Sequence, residues 1–334
     1  MNQHLALSAD SEIDAFRAYG LPETILDAGV DAAWRFVEYF TAAIANDHTR
    51  AAYFRAAGQF FAWCQTRGLA LAAVAPVHVA AYLKQRGGAV ATIKQHRAAL
   101  KMLFDHLVVG QIVSRNPVLE VKTPRQKLQK GKTPVLDTLQ LQELYQYFEE
   151  TIRTASERTR VIALRDRAIT ASMLYTFGRV SAVAGLRLRD YVQMGHRTWG
   201  LCLQEKNGNY LEIPSHHVLD EYLAEYIEAA GIASDRDLPL FRAAAPDRRL
   251  TDRPLKQTHV FRMIRRRAAH VGIAPDRICC HSFRATGITI YLCNGGDLAT
   301  AQTIAGHASI NTTRQFYDHT DNAVLKNEIE RIRI

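Results

Sequence analysis

Apolar positions recur every three or four residues over long stretches of this 334-residue chain, a period that predicts helices. Residues 31–45 carry Trp34, Val37, Phe40 and Ile44 on one face. Residues 49–67 carry Tyr53, Ala57, Phe60, Phe61 and Cys64, and Gly68 ends the run. Residues 76–86 carry Val79, Tyr82 and Leu83 before a Gly87-Gly88 stop. Residues 92–109 carry Ile93, Leu100, Leu103, Phe104 and Leu107. Together these runs predict a helical domain over 26–118. Residues 1–25 read as a mobile arm with one short amphipathic piece around Ile13–Phe16.

The pattern changes in the second half. Thr138 is placed as the N-cap of an amphipathic run that reaches Phe148, and 165–177 is apolar enough to predict a buried helix. A shorter helical piece covers 181–186. Period two takes over at 199–205, Asn207-Gly208 is a two-residue hairpin turn, and 210–213 is the returning strand. Helices follow at 217–230, stopped by Gly231, and at 258–270. The latter turns Val260, Ile264 and Ala268 inward and presents Arg262, Arg265, Arg266 and Arg267 as a basic surface. From 276 onward the pattern is helices with short loops. The expected fold class is mainly α with a small antiparallel β-sheet in the C-terminal half.

Composition narrows the function. A 48% hydrophobic and 22% charged chain fits a soluble globular protein, and the length suits two cores. No apolar run approaches the ~18 residues that span a bilayer. The N-terminus carries acids and no basic region, so it does not read as a secretory signal, and a cytoplasmic location without membrane contact is expected. Five cysteines without a C-x-x-C pair argue against disulfides and zinc. Cys279 and Cys280 stand beside His281, but adjacent cysteines rarely chelate one ion and no partner cluster exists. No metal or cofactor is expected.

The net charge of +9 is unevenly spread: residues 121–140 hold five Lys/Arg against one Asp/Glu. Lys122, Arg125, Lys127, Lys130 and Lys132 alternate with Pro124, Gly131 and Pro134, which predicts an extended basic connector over 119–136. Such a connector can track phosphates, so double-stranded DNA is the expected partner. Lys94, Arg97 and Lys101 share one side of the fourth N-terminal run. That row is either a solvated face or a contact laid along a DNA backbone. Arg265 and Arg266 are the corresponding candidates in the second half.

Candidate chemistry lies near the end of the chain. His281 and Arg284 are three apart, Gly306 precedes His307, and Tyr317 follows ten residues later. Breaking a phosphodiester without metal needs cations against the phosphoryl oxygens, an in-line nucleophile, and a proton for the departing oxygen. A tyrosine nucleophile would keep the bond energy in a covalent intermediate. No G-x-x-x-x-G-K-[ST] motif supports the use of ATP.

In this order and spacing the stretch HSFRATGITIYLCNGGDLATAQTIAGHASINTTRQFY, residues 281–317, resembles the catalytic domain of tyrosine recombinases, the phage integrase family. Two upstream pieces match as well. TFGRVSAVAGLRLRDY, residues 176–191, resembles the segment with the family's first catalytic arginine, which falls on Arg179. LCLQEKNGNYLEIP, residues 201–214, resembles the hairpin with its catalytic lysine, which falls on Lys206. The resemblance implies that Arg179 and Arg284 hold the scissile phosphate and that Tyr317 attacks it. A 3′-phosphotyrosine and a free 5′-hydroxyl result. Lys206 would protonate the leaving oxygen, His281 assist proton transfer, and His307 hydrogen-bond the phosphate.

The resemblance further implies a two-domain C-shaped DNA clamp and a homotetramer on paired sites. The core-binding domain would cover 26–118, the catalytic domain 137–320 and a tail helix 321–334, which docks in cis or on a neighbouring protomer. Two positions depart from the family's pattern. Ala182 stands three after Arg179 where many members carry an acid, and Ala285 follows Arg284 where histidine is common. The alternatives are a catalytically impaired DNA-binding protein of the same fold and a relaxing enzyme of type IB topoisomerase kind.

Overall fold

The structure, a computed structural model, describes residues 9–124, 133–196, 198–204, 210–307 and 309–314. It divides into two compact units, Met1–Leu128 and Gln129–Ile334. Arg125, Lys127, Lys130 and Lys132 of the basic connector, Lys206, Tyr317 and the tail helix expected over 321–334 lie outside the described residues. Among the described residues no helix is long and apolar enough to cross a membrane.

The first unit is helical. It comprises α1 (Ala9–Ala18), α2 (Glu23–Leu26), α3 (Val30–Glu38), α4 (Asp47–Gln65), α5 (Pro76–Arg86) and α6 (Val90–Val109). Asn46 caps α4 by accepting from the Thr49 amide at 3.0 Å, and proline opens α5 where its missing N–H costs nothing. Phe60, Phe61, Leu100, Leu103 and Phe104 are buried in one core. The expected mobile arm is instead partly folded onto that core: Phe16 is buried and meets Trp34 edge-on at 5.0 Å, and Ile25 and Leu26 are buried. Trp34, expected to face inward, keeps 49% of its surface exposed because it covers Phe16 from outside. The expected helix over 31–45 ends in a π turn, Tyr39–Ala43. Widening the last turn in this way keeps Tyr39, Phe40 and Ile44 all buried.

The second unit is built around α8 (Glu157–Tyr175), with α7 (Thr138–Thr154), α10 (His217–Ala230) and α12 (Cys280–Cys293) packed against it. Asp137, and not Thr138, caps α7, accepting from the Gln140 amide at 2.8 Å while the Gln140 side chain accepts from the Asp137 amide. The strands β1 (Tyr191–Gln193), β2 (Trp199–Gln204) and β3 (Tyr210–Pro214) form an antiparallel sheet in that order. Leu201 pairs with Ile213 and Leu203 with Leu211, so the apolar alternation sets the register. A second hairpin, β4 (Arg242–Ala244) with β5 (Leu250–Pro254), is not predicted by the apolar pattern, since both strands are short and β5 is polar. The remaining helices are α9 (Val180–Ala184), α11 (Gln257–His270), α13 (Leu298–Ala305) and α14 (Ile310–Arg314).

Helix α8 starts eight residues before the expected 165–177 segment, and it buries charge as well as apolar surface. Asp166 is fully buried and accepts from Arg165 on its own helix and from Arg267 on α11, each at 2.8 Å. Arg165 also donates to the Arg242 carbonyl at 2.7 Å. Arg267 therefore faces inward as a strut between α11 and α8, correcting its place in the expected basic surface. Removing one partner of such a set leaves uncompensated buried charge. Asp166→Ala is expected to lower unfolding free energy by about 3–5 kcal/mol. Urea denaturation of the full chain checks this; a loss under about 1 kcal/mol would contradict the strut.

Candidate active site

The segment that leaves α8 is held by its own side chains. Thr176 donates to the Ser172 carbonyl at 2.6 Å and accepts from the Gly178 amide at 3.1 Å. Phe177 between them adopts a left-handed backbone, φ +51°. Gly178 is needed for space: a Cβ there would stand 2.6 Å from Val183 Cγ2. Arg179 follows as the N-cap of α9, half-buried. Ala182, on the next turn, is buried in the main core.

The second arginine comes from α12. Arg284 is buried at 4% exposure, and its two terminal nitrogens go to backbone carbonyls from different segments. Nη1 donates to Phe177 O, and Nη2 donates to Ala305 O at 2.5 Å. His281 lies one turn earlier and is exposed. Gly287, one turn later, lets the helix approach α8, since a Cβ there would stand 2.1 Å from the Leu174 carbonyl.

The third contribution follows α13. Gly306 ends that helix in the left-handed conformation, φ +57° and ψ +39°, as a helix stop requires. The His307 carbonyl accepts from Gln302 Nε2 at 2.9 Å. Its Nδ1 lies 2.8 Å from the hydroxyl of Thr313, a fully buried residue of α14. One hydrogen bond thus anchors the ring and another the backbone behind it.

Electrostatics show that these groups share one neighbourhood. Burial lowers the Arg284 pKa to about 9, with the Arg179 charge adding to the effect, and burial lowers that of Arg179. Desolvation, then the Arg284 and Arg179 charges, lowers the His281 pKa. The same three causes in the same order bring His307 down to about 4. The structure therefore brings together Arg179, His281, Arg284 and His307, from three segments that are far apart in the chain. A site with this field favours an anion with several oxygens, because two guanidinium forks can each donate twice.

The depressed His307 pKa has a measurable consequence. An unfolded histidine titrates near 6.5. The unfolded chain therefore binds more protons between about 6.5 and 4, and stability falls as pH drops through that window. The full effect is on the order of 2 kcal/mol once screening at a half-buried ring is allowed for. His307→Gln should flatten the pH dependence of urea unfolding between pH 6.5 and 4; an unchanged slope would contradict it. Phosphate at the site should raise the His307 pKa, seen as a shifted imidazole resonance.

The candidate DNA contacts are placed unevenly. Lys94 and Lys122 are exposed. Arg97 instead turns to the connector, donating to Val121 O at 2.5 Å and, more weakly, to Val118 O and Leu119 O. Lys101 pairs with Asp105 at 2.8 Å. On α11, Arg266 is exposed, while Arg265 donates to Pro275 O at 2.6 Å and covers the Phe261 ring. Thr176, Phe177, Gly287 and Thr313 are not among the residues that the sequence pattern singles out. Gly287, a lone glycine inside an apolar helix, is the one with a visible signal.

Known proteins share both the sequence pattern and the fold. The phage integrase family matches residues 134–323. The tyrosine recombinase XerC of Pelobacter propionicus is 30% identical over 279 residues, 81% of this chain and 84% of that protein. The tyrosine recombinase XerD of Oceanobacillus iheyensis is 28% identical over 246 residues, 73% of this chain and 76% of that one. Among solved structures, the XerH site-specific recombinase bound to palindromic difH substrate, in a post-cleavage complex, shares the fold. It superposes with a TM-score of 0.71 at 16% identity, over 95% of this chain and 94% of that one. A lambda integrase dimer bound to a COC′ core site gives 0.61 at 19% identity, over 85% and 76% of the two chains.

Proposed function

The chain belongs to the phage integrase family and is a site-specific tyrosine recombinase that cleaves and rejoins DNA; from that premise we propose the residue roles and the intermediate. Arg179 and Arg284 hold the scissile phosphate, and the Tyr317 oxygen attacks its phosphorus. The bond to the 5′-oxygen breaks, leaving a 3′-phosphotyrosine and a 5′-hydroxyl. Lys206 gives the leaving oxygen its proton, and His281 assists removal of the tyrosine proton. His307 donates to a non-bridging oxygen, which the anchoring of its Nδ1 on Thr313 suits. Attack of a 5′-hydroxyl from the partner strand then reverses the step and exchanges strands.

The observation that carries this reading is that Arg284, one turn from His281, bonds the carbonyl two residues before Arg179 and the carbonyl two residues before His307. The mutual electrostatic cost of these four groups is what a phosphate would relieve. Energy is conserved in the phosphotyrosine, so neither ATP nor metal is needed. We propose a homotetramer on paired sites, as in the lambda integrase tetramer bound to a Holliday junction, with a location in the cytoplasm. Each unit is proposed to bind DNA, the second through Arg266 on α11 and the first through Lys94 and Lys122. The tail over 321–334 is proposed to dock on a neighbouring protomer.

Lys206 offers the sharpest test of the proton inventory. Lys206→Ala should slow single-turnover cleavage by about 10²–10⁴-fold, the usual range for a general acid. A 5′-thiolate leaves without a proton, so a bridging phosphorothiolate at the scissile position should restore most of the rate. Failure of the thio substrate to rescue the variant would remove Lys206 from this role.

A further inference from the structure

We propose that Phe177 is a positioning residue for the arginine pair, acting through its left-handed backbone and its buried ring. The proposal rests on the reading of Arg179 and Arg284 as the phosphate clamp.

Phe177 is one of three described non-glycine residues with positive φ, a conformation that costs a side-chain-bearing residue about 1–2 kcal/mol. Gly178 is adjacent and could adopt it freely, yet the chain turns at Phe177 and uses Gly178 for close packing. The surroundings therefore hold the turn in place. The left-handed turn directs the Phe177 carbonyl to Arg284 Nη1. Two residues on, the chain delivers Arg179 at the start of α9.

The ring completes the connection. Phe177 is 5% exposed and lies in a small apolar cluster with Ile288, Leu292, Ala301 and Ala305, separate from the main core. It meets Tyr291 edge-on at 6.0 Å, and it fills the space beside Gly287, where a Cβ would come within 3.0 Å of it. Ala305 belongs to the same cluster and gives its carbonyl to the other end of Arg284, two residues before His307. One apolar cluster thus underlies Arg179, Arg284 and His307. The 176–178 turn, tied down by the Thr176 hydroxyl, directly precedes Arg179 and sets where its backbone starts α9.

The test compares wild type, Phe177→Leu and Phe177→Gly on duplex half-sites recovered from random-sequence DNA by the wild-type protein. Leucine keeps apolar volume but not the flat ring, and glycine relaxes the backbone and deletes the ring. DNA affinity should be unchanged in both. Single-turnover cleavage should fall about 10-fold for leucine and about 100-fold for glycine, the scale of an ångström of misplacement. A second substrate carries a methylphosphonate at the scissile position, which removes one phosphate charge and with it part of the demand on the arginines. There the leucine deficit should shrink to about threefold or less. Wild-type rate in Phe177→Leu, or an equal deficit on both substrates, overturns the proposal and leaves a packing role only. If glycine unfolds the unit, the leucine comparison still decides. If wild type itself forms no covalent adduct on the recovered DNA, the clamp reading fails, and this proposal with it.

Discussion

Tyr317→Phe is expected to bind its DNA site as wild type does and to form no protein–DNA adduct that survives denaturing detergent. The substitution removes one oxygen and keeps the ring, so binding and packing change little. It deletes the proposed nucleophile, and no other group in the proposed chemistry replaces it. Cleavage should fall by at least about 10⁴-fold, the scale seen when a covalent nucleophile is removed. A free phenol titrates near 10, so a tyrosine nucleophile needs help to attack at neutral pH. The Arg179 charge lowers proton affinity at Arg284, and both arginines lower it at the two imidazoles, a field that would favour a phenolate placed beside them. Trapping on a nicked half-site, followed by detergent electrophoresis, reads the result. A stable adduct in the Tyr317→Phe protein would assign the nucleophile elsewhere.

Arg284→Ala should do two things at once, and the two can be separated. The loss of one clamp on the phosphate is expected to slow single-turnover cleavage by about 10²–10³-fold or more, as for other preorganised donors to a developing oxyanion. Arg284 also ties the turn after α8 to the end of α13 through two carbonyls. Removing bonds from a charged donor to buried acceptors should cost about 2–4 kcal/mol of stability, partly offset by relief of burying the charge. Arg284→Lys keeps the charge but has no planar fork, so it can serve only one carbonyl. It should recover part of the stability and little of the rate. A lysine variant with near wild-type cleavage would show that charge alone suffices and that the fork geometry is irrelevant.

Local features are legible in the residues themselves. The period of apolar residues locates α4, α5, α6 and α10, and glycines mark their ends, because helix stops are decided within one turn. The hairpin of β2 and β3 follows from alternation. Features that depend on distant partners are not legible in this way. The Asp166 and Arg267 strut links positions 101 apart, and nothing near either residue marks it as buried. Arg97 reads as part of an outward basic row because its partners are backbone carbonyls of the connector, which carry no sequence signature. Of the site, the three-residue spacing of His281 and Arg284 puts them on one helical face. The meeting of Arg284 with Arg179 and His307 is readable only through the family resemblance. Phe177 carries no signal because a left-handed backbone at a phenylalanine contradicts local preference and is imposed by what surrounds it.

The scatter of the site along the chain bears on how the protein comes to exist in a cell. Near the start of the second unit, the Leu136 amide donates to the hydroxyl of Thr286, 150 residues downstream. Arg179 is synthesised more than a hundred residues before Arg284, and His307 and Tyr317 follow later still. Contacts this far apart form slowly and only after the intervening chain is made. A nascent or truncated chain can therefore fold its first unit, with its own core, while it lacks the means to cut. On the proposed roles, a chain interrupted before residue 317 lacks the nucleophile, so broken polypeptides of that kind do not become nicking enzymes.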